Sequence, residues 1–127
     1  MSFMRNTMDV GLTPPIEYHA GKADEAIVLG EALTLTAGAL TKCSGSVKPD
    51  YIAVGSKKET GEVPAIKVQD YMTFEAPLTA DGAALKVGDK VTIAADGLGL
   101  TATTDSGVAT IVAIHGTGVG DLVEVRF

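Results

Sequence analysis

The sequence predicts an all-β protein, and three observations lead to this class. Apolar and polar residues alternate in short segments, as in Val123–Phe127, where Glu124 and Arg126 separate three apolar residues. This period of two places alternate side chains on opposite faces of a strand. Short turn segments lie between the alternating segments, and two examples are Asp96-Gly97 and Asp105-Ser106-Gly107. Their residue types tolerate the positive φ angles of tight turns. The 15 glycines among 127 residues also favour many turns over long helices.

The first half of the domain is predicted to form short strands around turns. Propensity alone would make Ala23–Leu33 a short helix, but Gly30 would interrupt that helix and Leu33–Thr36 alternates cleanly. Ala37-Gly38 then turns the chain. The predicted strands of this half are Ala26–Leu29, Ala32–Leu35, Ala39–Cys43 and Tyr51–Val54.

The second half continues the same pattern after a charged loop over residues 55–61. Pro77 and Asp81-Gly82 mark a long connection over residues 76–84. Ala109–Ile114 is apolar on both faces, which is typical of a central strand covered on each side. The predicted strands of this half are Val63–Gln69, Tyr71–Glu75, Val91–Ala95, Ala109–Ile114 and Val123–Phe127.

The N-terminal residues 1–21 differ from the body, residues 22–127, because they show no sustained alternation. Pro14-Pro15 lacks two backbone donors and fixes φ, which indicates an extended, irregular stretch. A disordered tail is one interpretation. An arm that becomes ordered on a partner is the other, and it explains apolar residues that would gain nothing from exposure. The candidate docking residues of this arm are Val10, Leu12, Pro14, Pro15, Ile16 and Tyr18. Removal of residues 1–20 is then expected to leave a folded body.

Composition limits the classes of function. The length fits one domain. A net charge of −6 repels phosphate backbones, so no nucleic-acid partner is predicted. No apolar run approaches the ~20 residues of a membrane helix, so no membrane association is predicted either. The single Cys43 cannot form an intrachain disulfide, which fits assembly in a reducing compartment. With three Tyr, three Phe and no Trp, the core is thin, and such cores often gain stability from partner subunits.

Motifs for chemistry are weak. Gly116–Gly120 has neither the spacing nor the following helix of a dinucleotide-binding loop, and a hairpin loop is the better interpretation. His19 and His115 lack a second His or Cys at metal-ligand spacing, so no metal site is predicted. His115 is expected to be hydrogen-bonded or to face solvent.

The carboxylates are expected to serve structure. A glycosidase pair would need a cleft with aromatic platforms, which so few aromatic residues cannot readily build. Asp81, Asp96 and Asp105 lie in or beside turns, where Asp hydrogen-bonds nearby backbone N–H groups. The loop serines have no G-x-S-x-G context. The sequence therefore predicts a protein that is not an enzyme and holds no cofactor.

Three segments carry a resemblance to a known family. They are Ala26–Gly30 with Ala39–Thr41, Leu85–Val91 and Gly120–Phe127. On these segments the chain resembles the small head decoration proteins of tailed bacteriophages, including the lambda-like ones. The resemblance implies a compact β-barrel or β-clip-like subunit that clusters, typically in threes, on the outer capsid and stabilises the expanded head. In lambda-like relatives an N-terminal arm lies on the capsid and can add a strand to a shell sheet.

The sequence and the resemblance together favour a structural virion protein. Its expected partners are the major capsid protein and two further copies of itself in a homotrimer. It would be made in the bacterial cytoplasm and reside on the capsid exterior. Two alternatives stay open: another phage structural component, such as a tail or adaptor protein, and a carbohydrate- or host-surface-binding β module.

Overall fold

The computed structural model describes residues 3–7 and 14–127, with residues 4–7 described by their backbone. It confirms the all-β class: in these residues the chain forms strands, turns and loops and no helix. The strands are β1 (Met4–Thr7), β2 (Ile16–Ala20), β3 (Ala32–Thr36), β4 (Ala39–Lys42), β5 (Tyr51–Ala53), β6 (Glu62–Lys67), β7 (Thr73–Pro77), β8 (Lys90–Val91), β9 (Ala109–Ile114) and β10 (Leu122–Arg126).

The ten strands form two antiparallel sheets. The first sheet has the order β1-β7-β10-β9-β8 and the second has the order β2-β6-β5-β3-β4. Two hairpins were correctly predicted. Ala37-Gly38 joins β3 to β4 with φ of 52° and 82°, the two positive φ angles of a type I′ hairpin turn. Gly116–Gly120 lies in the loop that joins β9 to β10.

The second sheet separates two apolar clusters. Alternate residues of β5 and β6 point to opposite faces, so Ile52 and Ile66 join the main core against the first sheet. Ala53 and Ala65, on the other face, join a smaller cluster with Leu40. The edges of the second sheet meet where Gly21 pairs with Leu40, so this sheet curls around the smaller cluster.

Three predicted strands differ from the observed ones. Ala26–Leu29 is not a strand, because positive φ angles at Asp24 (62°) and Gly30 (82°) bend the chain on either side of it. Val91–Ala95 is a strand only at its start, after which Ile93 makes isolated bridges. Ala109–Ile114 is a strand but not a central one. It lies next to the edge of its sheet, and four of its six residues are only half-buried.

The described residues of the predicted arm belong to the sheets. β1 pairs with β7 at the edge of the first sheet, and β2 pairs with β6 at the edge of the second. The described part of residues 1–21 is thus paired with strands of residues 22–127. Burial alternates along β2, with Glu17 and His19 half-buried between exposed residues, a short pattern that was not predicted from the sequence.

Candidate functional site

The predicted docking residues that the structure describes lie together at one surface. Pro15, Ile16 and Tyr18 are exposed, with 54% of Ile16 and 55% of Tyr18 accessible to solvent, and Pro14 is half-buried. Val10 and Leu12 lie outside the described residues. Ile16 and Tyr18 are two positions apart in a strand, so both project from the same face of β2.

β2 also presents backbone hydrogen-bonding groups at a sheet edge. Tyr18 pairs with Pro64 of β6, and the Pro64 carbonyl accepts a hydrogen bond from Val54 N, 2.9 Å away on the other side of β6. Because both backbone groups of a strand residue point to one side, Pro64 bonds away from β2, and Tyr18 directs its own N–H and C=O away from β6. In the strand order of the described residues β2 neighbours β6 alone, but the chain directly after β2 already meets β4 where Gly21 bridges Leu40, so the open part of this edge lies over Ile16–Tyr18. The exposed residues Ile16 and Tyr18 with this free edge are called the β2 edge below.

Polar contacts hold β2 in place behind this edge. The Tyr51 hydroxyl donates to Glu17 Oε1 at 3.0 Å, and His19 Nε2 lies 2.9 Å from the same oxygen. Hydrogen bonds from His19 and then from Tyr51 lower the pKa of Glu17. On the exposed face, Lys58 Nζ lies 4.8 Å from the centre of the Tyr18 ring, a cation–π distance. The β2 edge is therefore an ordered surface with apolar side chains.

A second group of polar side chains comes together in the first sheet, and the sequence did not predict it. Glu75, His115 and Glu124 lie on three neighbouring strands or strand ends of the first sheet, and their ligand atoms all lie within 4.8 Å of one another. His115 was expected to be hydrogen-bonded or solvent-facing, and it is both: it pairs with Glu124 and is half exposed. The outward position of Glu124 follows from the alternation of β10. The neighbouring position of Glu75 depends on strand register, which local sequence does not encode.

The other polar candidates have structural partners. Asp81 Oδ1 accepts a hydrogen bond from Ala83 N at 3.1 Å, and Asp96 Oδ1 accepts one from Leu98 N at 2.9 Å, which confirms their predicted role in turns. Cys43 is buried and its thiol lies 3.0 Å from the Val47 carbonyl oxygen. Burial raises the pKa of Cys43 to about 11, so the thiol is protonated at neutral pH and is a poor nucleophile.

The described residues contain no helix of the length and apolarity that a membrane span requires. No protein-family model matches the sequence, and no curated protein matches it. The resemblance to lambda-like decoration proteins therefore stays a prediction.

The fold places the chain among two-sheet all-β domains, and one solved structure of that class is similar along nearly its whole length. It is the crystal structure of the head fiber gp8.5 N base in bacteriophage phi29, with a TM-score of 0.61 and 19% sequence identity. The similarity covers 89% of this chain and 94% of that one. At this identity the likeness shows a shared fold.

Proposed function

We propose that this chain is a structural virion protein of a tailed bacteriophage, which binds the outer surface of the head and stabilises the expanded shell. The observation that carries the proposal is the similarity of fold to the base of a head fiber over 89% of this chain. The fold match spans nearly the whole of both chains, so this domain has the size and architecture of a unit attached to a phage head. The net charge of −6 fits a protein that stays soluble and is repelled by the packaged genome.

The β2 edge gives this proposal a physical mode of attachment to the major capsid protein. A strand of the partner that adds to β2 would pair with the outward backbone groups of Tyr18, and main-chain hydrogen bonds of this kind supply affinity. Ile16 and Tyr18 would fix the register, because both are exposed on one face. Val10, Leu12, Pro14 and Pro15 precede this strand and would extend the contact along the shell.

The function is tested by mixing the purified chain with heads assembled from the major capsid protein of the same genome. We expect binding to expanded heads, little binding to unexpanded heads, and a higher temperature of head disruption in the bound state. Indifference to both kinds of head would contradict the proposal. Binding to tails or necks would make the chain a tail or adaptor protein, and retention on glycans would make it a host-surface-binding module.

The docking mode predicts the effect of changing the β2 edge. The double variant Ile16→Ser, Tyr18→Ser should weaken binding to expanded heads by about 30-fold or more, the effect of removing a hot spot of about 2 kcal/mol. The control is Val119→Ser, which removes a more exposed apolar side chain (70% accessible) from the β9–β10 loop and should bind normally. Circular dichroism checks that each variant is folded, and head-binding isotherms measure its affinity for expanded heads. If the double variant binds heads as well as Val119→Ser does, the β2 edge is not the docking surface. The proposal that the chain binds heads would not be affected.

We also propose that the chain assembles as a homotrimer. Three copies that engage three sites act with high effective concentration, so weak single contacts add up to firm attachment. Light scattering coupled to size-exclusion chromatography should give a mass about three times the 13.0 kDa of one chain. A constant monomer mass in solution and one isolated chain per site on the head would contradict the trimer.

A further inference from the structure

The outer face of the first sheet carries three side chains of the types that bind metal ions. Glu75 lies in β7 and Glu124 lies directly opposite it in β10. His115 follows the last residue of β9, which is the next strand along. The residues beside the two glutamates, Phe74 and Val123, are buried in the core, so alternation directs both glutamates to the outer face.

The ligand atoms of these side chains lie near the spacing that a shared ion requires, one pair closer together and one pair farther apart. His115 Nε2 lies 2.5 Å from Glu124 Oε2 and 3.8 Å from Glu75 Oε1. Two ligands of a tetrahedral zinc ion stand about 3.3 Å apart, since each bond is about 2.0–2.1 Å long. His115 is exposed and the two glutamates are half-buried, and small rotations that open the His115–Glu124 hydrogen bond would bring the three ligand atoms to coordinating distance.

The charges also favour a cation at this place. Two carboxylates directly opposite each other on adjacent strands repel, which destabilises the pair. Arg126 lies on the same face of β10, but its Nε donates to Thr73 Oγ1 at 3.2 Å. A divalent ion between Glu75 and Glu124 would offset the repulsion, and His115 would complete the ligand set.

The ligand types identify the class of ion. One imidazole nitrogen with two carboxylate oxygens suits zinc and neighbouring first-row metals, whereas magnesium and calcium prefer oxygen ligands throughout. His115 is 49% exposed on its side chain, so an ion can enter from solvent and keep a water ligand.

We propose that Glu75, His115 and Glu124 bind one divalent transition-metal ion of the zinc class on the outer face of the first sheet. The ion would connect β7, β9 and β10 and would stabilise the folded chain by binding to it and not to the unfolded chain. This inference does not depend on the proposed attachment to a phage head.

The test is calorimetric titration of the full, untagged, chelator-treated chain with zinc chloride, together with thermal unfolding. We expect one zinc ion per chain, a dissociation constant in the micromolar range, a higher melting temperature with zinc and little response to magnesium. His115→Gln and Glu75→Gln should each weaken binding by about tenfold or more. Glu62→Gln, which makes the same change at an exposed site of the second sheet, should bind zinc like the native chain.

Cobalt(II) gives an independent readout, since its visible absorption reports the ligands that hold it. The native chain should give a cobalt spectrum that is lost in His115→Gln but kept in His19→Gln and Cys43→Ser. No zinc binding by the native chain at millimolar concentration would overturn the proposal. Equal zinc affinity of the native chain and the folded His115→Gln and Glu75→Gln variants would overturn it as well.

Discussion

Replacement of Phe3 by alanine is expected to lower the free energy of unfolding by about 3–5 kcal/mol, the cost of removing a large buried aromatic side chain. Only 2% of Phe3 is accessible to solvent, and its ring centre lies 5.5 Å from that of Phe127. The Phe127 ring is in turn 5.7 Å from the ring of Phe74. The backbone N–H of Phe3 donates to Gly30 at 3.0 Å, which fixes the segment beside the core. Urea denaturation followed by circular dichroism measures the change.

The matched control for Phe3→Ala is Ile16→Ala, in the same N-terminal segment. Because Ile16 is 54% exposed, its truncation should change the free energy of unfolding by less than about 0.5 kcal/mol. An unchanged urea midpoint for Phe3→Ala would show that this segment lies outside the core.

The burial of Phe3 determines which variants can test docking by the N-terminal residues. The sequence predicted that removal of residues 1–20 would leave a folded body. The structure changes that expectation, because the deletion would remove Phe3 from the core and one edge strand from each sheet. A truncated chain that fails to bind heads would then be uninformative. Point substitutions at the exposed residues Ile16 and Tyr18 separate docking from stability.

Alternation and turn chemistry predicted most of the strands. β10 was predicted from Val123 and Val125 facing inward, and both are fully buried. The turn at Ala37-Gly38 was predicted, and both residues have positive φ in the observed hairpin. The prediction was wrong at Ala26–Leu29, because its apolar residues pack as an irregular segment: Ile27 is buried while its own carbonyl accepts a hydrogen bond from Lys57. Hydrophobicity alone does not distinguish such a segment from a strand.

The two candidate sites also differ in how far the local sequence could predict them. Ile16 and Tyr18 were named as docking residues because apolar side chains in an irregular stretch gain nothing from exposure unless a partner covers them. Both are exposed in the single chain, and their docking stays a prediction. The cluster of Glu75, His115 and Glu124 was not foreseen, because the three residues are distant in sequence. Their proximity comes from the register of β10 against β7 and β9, which packing across the whole domain determines.

Stability should fall as pH rises from 4.5 to about 7, and Glu31 is the expected main cause within this range. Only 4% of Glu31 is accessible to solvent, and its Oε2 has no hydrogen-bond partner among the described residues. Burial raises the pKa of Glu31 from its ordinary value of 4.5 to about 7, and the charges of Glu25 and Asp96 act in the same direction. A hydrogen bond with the backbone of Val28 and the charge of Lys42 oppose the shift.

Between these two pKa values the folded chain holds a proton on Glu31 that the unfolded chain has lost. The free energy of unfolding therefore decreases with rising pH, by about 3 kcal/mol in total from this group. The variant Glu31→Gln keeps the size of the side chain and carries no charge, so its stability should lack this decrease. At pH above 7 it should be more stable than the native chain by about 3 kcal/mol, whereas below pH 4.5 the two should be similar.

Urea denaturation at a series of pH values measures the difference between Glu31→Gln and the native chain. Other groups titrate equally in both proteins, so they cancel in that difference. The control Glu62→Gln removes the same charge from an exposed position of β6, so it reports the general effect of one lost carboxylate on stability. If the Glu31→Gln difference does not change with pH, Glu31 is ionised in the folded protein without penalty, and solvent or a cation must reach the carboxylate.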